Sequence, residues 1–148
     1  MGSSSPKTLF LRRFIMQDFF SPEMSENDIK AMSNLGLAHI GDAVFELLVR
    51  TWLCTSGKHT ARVLHSTTVR YVCAGAQSRA MMRLLPLLNE TEQAVFRRGK
   101  NAKVNSVPKN ADISEYHNAT GLEALFGYLY LLGETARINE LFAVVVEE

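Results

Sequence analysis

The sequence predicts an all-α fold. Three observations carry that prediction: apolar residues recur at helical spacing through most of the chain, helix-capping residues stand where those runs begin, and no segment alternates with period two for long. With 148 residues, 47% of them hydrophobic, the chain can bury a sizeable core as one domain of about six or seven helices.

The opening MGSSSPKTLFLRRFIMQDFF carries Ser, Lys and Arg before its first acid, Asp18, and spaces its LF, FI and FF pairs as a helix would. Residues 1–24 therefore read as an extension, partly tag and partly docking helix, with a transit peptide as the alternative. Arg12 and Arg13 break the apolar core that a secretory signal needs. The domain proper is expected at residues 25–148.

Ser33 or Asn34 can cap a helix running to about Cys54, and Gly57 can stop it. Thr60 can cap the next, through Leu64, Val69 and Val72. AQSRAMMRLLPLL gives another, with Pro86 near its end. NETEQAVFRRG follows, capped by Asn89 or Thr91 and terminated by Gly99. KNAKVNSVPKNADI has neither periodicity nor a long apolar side and reads as a loop. EYHNATGLEALFGYLYLL is the most apolar helix, closed at Gly133, and TARINELFAVVVEE ends the chain although its valine run lowers helix propensity. There is no internal repeat and no domain linker.

Several function classes fall away on composition. No apolar run reaches the roughly 20 residues of a membrane span, so no membrane partner is expected. Cys54 and Cys73 form no CxxC pair and no disulfide framework, and read as buried thiols in a reducing compartment. His59 and His65, six apart, match no common zinc spacing. His39, one turn before Asp42, reads as an ordinary helix histidine, and Tyr116, His117 and Asn118 stand just ahead of the apolar helix without a role that the pattern assigns.

The formal net charge of +1 hides an uneven distribution. Between Leu47 and Ala111 eleven Lys and Arg face two acids, Glu90 and Glu92, for a local +9, while the flanks carry −8. A basic middle between acidic ends implies a polyanion-facing surface, if the fold gathers those bases; otherwise it describes solvated helix faces. Arg97, Arg98, Lys100, Lys103 and Lys109 lie on a segment with no competing carboxylate and are the candidate phosphate contacts.

Two carboxylates are out of place. Asp42 follows a glycine in LAHIGDAVFELLVR, beside the apolar face formed by Leu37, Ile40, Val44, Leu47, Leu48 and Leu53. Glu123 interrupts the most apolar helix, on a stripe with Ala119, Thr120, Gly127 and Tyr130. A mid-helix acid at a core edge is costly unless compensated. Glu46 has a local partner in Arg50, four residues on. Asp42 and Glu123 do not, and together suggest either a divalent-cation site or separate ion pairs with arginines.

The same residues carry a family resemblance. NLGLAHIGDAVFELLVR resembles the signature helix of the ribonuclease III catalytic domain, TGLEALFGYLYL resembles that family's second metal-binding helix, and RRGKNAK…PKN between them resembles its Mini-ribonuclease III branch, a bare catalytic domain without an appended double-stranded-RNA-binding domain. The resemblance runs from about Ser33 to the C-terminus. It implies a homodimeric, magnesium-dependent endonuclease that hydrolyses both strands of double-stranded RNA and leaves 5′-phosphates, with a ribosomal RNA precursor as substrate and a bacterial cytoplasmic, or organellar, location. The resemblance matches Asp42 to the catalytic aspartate and Glu123 to the metal-binding glutamate, both holding Mg2+. Ala38, Leu35 and Thr120 stand where full-length ribonuclease III has further acids, so a thinner metal site is implied. A catalytically silent, RNA-binding relative is the alternative, which the retained Asp42 and Glu123 oppose. The dimer surface is expected on the 34–53 helix, including Phe45 and Leu48, with help from the 114–132 helix.

Overall fold

The computed structural model describes residues 17–57, 59–102 and 106–147. Among them are seven α-helices and a short 3-10 turn, and no strand: α1 (Glu26–Lys30), α2 (Asn34–Thr55), α3 (Ala61–Val72), α4 (Ala74–Leu84), the turn Leu85–Leu87, α5 (Glu90–Lys100), α6 (Ile113–Leu132) and α7 (Thr135–Val146). The docking helix expected in residues 1–24 falls largely outside the described residues, and 17–25 is turn and extended chain. That stretch is tied down by the Tyr130 hydroxyl donating to the Phe19 carbonyl (2.5 Å) and by Met24 N–H to Leu131 O (2.8 Å).

The helix starts follow from side chains that satisfy first-turn N–H groups. Ser33 Oγ accepts from Gly36 N (2.9 Å), Thr60 Oγ1 from Val63 N (3.4 Å) and Asp112 Oδ1 from Glu115 N (3.1 Å), while Asn89 and Glu92 form a reciprocal capping box. Gly133 closes α6 in the left-handed conformation (φ 86°). α5 ends at Lys100, one residue past the expected terminator Gly99, and Arg97, Arg98 and Lys100 occupy its last turn. There, positive charge faces the negative end of the helix dipole and stabilises the terminus.

Helix α6 is the axis of the molecule. From Asn118 to Leu129 only Glu123 escapes full burial, as expected of a helix that is apolar all round and packed on every side by α2, α4, α5 and α7. Phe45 stands edge-on to both Phe126 (centroids 5.5 Å) and Phe142 (6.1 Å) at the core's centre. This corrects two sequence-based expectations. Phe45 is fully buried and unavailable to a dimer surface, whereas Leu47, assigned to the apolar core face, is 53% exposed. Cys54 and Cys73 are likewise exposed thiols, each at a helix end rather than inside the core.

α7 is helical despite its valines because Ile138, Leu141, Phe142 and Val145 recur at i, i+3, i+4 and i+7 and bury their side chains. Arg83 donates to Val145 O (2.9 Å) and Glu147 O (3.4 Å), capturing carbonyls that the helix end leaves unpaired. Arg137 joins α7 to buried Glu92 of α5 (Nε to Oε2, 3.0 Å).

Candidate active site

The site begins with two glycines. A Cβ on Gly41 of α2 would overlap the Glu123 carbonyl oxygen and come within 2.8 Å of Gly127 N; one on Gly127 of α6 would overlap the Leu37 carbonyl oxygen and reach 3.1 Å from Gly41 N. The two longest helices therefore cross backbone to backbone, an approach that any side chain would hold apart. The crossing sets Asp42, next to Gly41, against Glu123, one turn before Gly127.

The environments of the two carboxylates differ. Asp42 is exposed and Glu123 is partly buried. Burial pushes the Glu123 carboxyl up to about 7, the charge of Asp42 adds to the rise, and the facing amide of Gln77 counters part of it. Gln77, 2% exposed on α4, nevertheless makes no hydrogen bond of normal geometry through Nε2 among the described residues. Gln77 is thus a close neighbour of Glu123 rather than a bonded partner.

Neither Asp42 nor Glu123 forms an ion pair among the described residues, which disfavours the arginine-pairing reading of this cluster. Glu46 does pair with Arg50 (3.4 Å), as its spacing predicts. No third His, Cys, Asp or Glu of the described residues joins the pair in a metal-sized cluster. Ala38 is core at 5% exposure, and Thr120 donates its hydroxyl to Tyr116 O (3.0 Å). Two hard oxygen donors of like charge, one destabilised by burial, form a donor set that fits a magnesium ion completing its shell from water and phosphate.

The basic segment also packs on α6, on a different face from Glu123. A Cβ on Gly99 of α5 would lie 2.6 Å from Ala124 Cβ and 3.1 Å from Gly121 Cα, so the cationic end of α5 is pressed onto the Gly121–Ala124 face of α6. Arg97, Arg98 and Lys109 are exposed and Lys100 is half-buried. Arg98 also lines a hollow of about 310 Å³ with Lys30, Asn34 and Tyr128. Lys103 lies outside the described residues.

Residues 35–134 match the family described as the Ribonuclease III domain. The chain belongs to the ribonuclease III family, in its Mini-ribonuclease III branch. It is 43% identical to the Mini-ribonuclease 3 of Clostridium tetani over 86% of this chain and 85% of that protein, and 46% identical to that of Brevibacillus brevis over 77% and 88%. A crystal structure of a Fusobacterium nucleatum protein superimposes with a TM-score of 0.73 at 32% identity, covering 80% of this chain and 95% of that one. For this ribonuclease III family member, the matched span holds both carboxylates of the helix crossing together with Arg97, Arg98, Lys100 and Lys109. The sequence offered no signal for Gln77, whose nearness to Glu123 arises only from the packing of α4 on α6.

Proposed function

We propose that this endoribonuclease of double-stranded RNA cuts through a magnesium site held by Asp42 and Glu123, and that it acts as a homodimer in ribosomal RNA maturation in the bacterial cytoplasm. The observation that carries the site is the glycine-mediated crossing, which sets two carboxylates together with no basic partner among the described residues. Separating two such groups in water would be less costly than holding them together at a core edge. A divalent cation reverses that balance.

Magnesium, when bound, supplies Lewis-acid activation of water and neutralises charge at the scissile phosphate. The chain's own residues do the positioning. Asp42, exposed, presents its carboxylate to solvent and substrate, while Glu123 is fixed by the backbone contact behind it. Near pH 7 Glu123 holds a proton on its carboxyl for much of the time, and must release it to act as a ligand. Arg97, Arg98, Lys100 and Lys109 then bind the duplex through phosphates, since the deep, narrow major groove of A-form RNA keeps side chains from base edges.

Two-fold symmetry suits a substrate with antiparallel strands, one strand per subunit. With Phe45 in the core, the proposed dimer surface moves to the outward side of α2, where Ala43 and Leu47 are exposed and Leu48 is half-buried. No helix of the described residues is long and apolar enough to cross a membrane.

Incubation of long duplex RNA with the protein, with and without magnesium, tests the proposal. Cleavage only with the ion, lost in Asp42→Asn and Glu123→Gln, is expected; equal cleavage in a chelator would refute the metal site. Sedimentation at micromolar concentration tests the dimer, and a fully active monomer would exclude it.

A further inference from the structure

Gln77 lies on α4, which packs against α6. The register of the two helices is pinned by Asn118 Nδ2 donating to Ser78 Oγ (3.0 Å), and Gly75 stands near Glu115 one turn earlier. The Gln77 side-chain amide also faces the Glu123 carboxyl. It is 2% exposed, and its Nε2 has no hydrogen-bond partner among the described residues. A buried amide group left unpaired is costly, and native proteins keep such groups rarely and for a reason.

The polar surroundings are only partly engaged: Asn118 Oδ1 and His117 Nδ1 are likewise buried without a partner among the described residues. Thr120 returns its hydroxyl to Tyr116 O (3.0 Å) and Ser78 accepts from Asn118, while Ala38 has no polar atom to offer. Of the acceptors around the Gln77 amide, the Glu123 carboxylate is the one that carries charge, and a hydrogen bond to an ionised group is the stronger. A carboxylate with one oxygen held by a neutral donor presents the other in a fixed direction. Metal-ligating carboxylates are themselves commonly hydrogen-bonded, and the loss of such support lowers metal affinity or activity about 10–100-fold.

We propose that Gln77 is a positioning residue for the active site: its side-chain amide orients the Glu123 carboxylate toward the divalent ion that Asp42 shares. The inference rests on the magnesium reading above. It assigns to a neutral amide some of the ordering that further acids at positions 38 and 120 do not provide. Because Gln77 touches neither the duplex nor the reacting phosphate, its removal weakens use of the ion and leaves RNA binding intact.

The test is a magnesium titration of cleavage, first on the unaltered enzyme and then on Gln77→Met, which keeps the side chain's length and removes the amide. The magnesium concentration for half-maximal rate is expected to rise about 10-fold or more, with the KM for duplex RNA unchanged. A Gln77→Met enzyme with the native magnesium curve and kcat overturns the proposal, and so does a variant that only loses stability while its folded fraction keeps that curve. An unaltered enzyme indifferent to magnesium removes the parent reading and this one with it, and the first titration identifies that outcome before any variant is made. Should Gln77→Met fail to fold, the side-chain amide resonances of Gln77 in the unaltered chain decide the question. They are expected to move on Glu123→Gln and on saturation with magnesium and uncleavable duplex; resonances unmoved by both would overturn the proposal.

Discussion

Replacing Glu123 by glutamine should abolish cleavage and make the metal-free protein more stable. The Glu123 carboxyl is raised from 4.5 to about 7, first by burial and then by Asp42. At about 1.36 kcal/mol per pH unit, the cost of ionising it in the folded state comes to about 3–4 kcal/mol, and partial solvent access reduces this to roughly half, about 1–2 kcal/mol. The sign follows from the two states. Below pH 4.5 the carboxyl is protonated whether the chain is folded or unfolded, and no penalty exists. Between 4.5 and about 7 the unfolded chain ionises while the folded one resists, so stability is lost as pH rises; above about 7 the penalty is constant. Glutamine has the same shape without the charge, and its stability curve lacks this decline. The assay is thermal denaturation of both proteins in a chelator from pH 4 to pH 8.5. The variant should melt with the native protein at the acid end and about 2–8 °C above it at pH 8, at roughly 2–4 °C per kcal/mol for a chain of this size. A difference that does not change with pH, or a variant less stable than the native protein at pH 8, would refute the argument that the fold strains this carboxylate.

Asp42→Asn should eliminate cleavage while leaving duplex affinity within about twofold, because phosphate contacts elsewhere supply binding; it should also lower the Glu123 pKa from about 7 without restoring 4.5, since burial is the larger cause, as carboxyl-carbon NMR titration would show. Alanine at Arg98, Lys100 and Lys103 should weaken binding to all duplex sequences and flatten the salt dependence by roughly one phosphate contact per charge removed; a filter-binding series with an unchanged slope would mean that this segment faces away from RNA. Gly41→Ala should cost more than about 3 kcal/mol or prevent folding, because the added methyl meets backbone of α6 rather than a side chain that can swing away; chemical denaturation showing near-native stability would contradict the backbone crossing.

Much of this protein was legible in the order of its residues. The helix starts at Ser33, Thr60 and Asn89 are local events, each a side chain bonding an N–H three residues on, and local chemistry is readable locally; the cap at Asp112 was read as loop because no apolar periodicity precedes Glu115. The all-round apolarity of Ile113–Leu132 marked the central helix, and the two acids in apolar surroundings marked the site, because charge at a core edge demands a compensating partner. What failed were inferences about which face a residue takes. Leu47 and Phe45 exchanged the places expected of them, since on α2 a wide apolar stripe leaves the buried centre to be chosen by the partner helix; Phe45 meets Phe126 and Phe142 there. Gly99 marks the end of α5 to within one residue, but the close approach of Ala124 and Gly121 that also requires a glycine there was not readable from the sequence.

The sequence by itself determined the all-α class, most helix boundaries, the two carboxylates and the concentration of positive charge in the middle of the chain. Only the tertiary structure decided that Gly41 and Gly127 meet, that Asp42 thereby stands against Glu123 across a sequence separation of 81 residues, and that Gln77 reaches the same carboxylate from a third helix. Capping and periodicity are set by neighbours within one turn, whereas these contacts depend on how whole helices pack, and packing is fixed by the sum of the surfaces that they bury together.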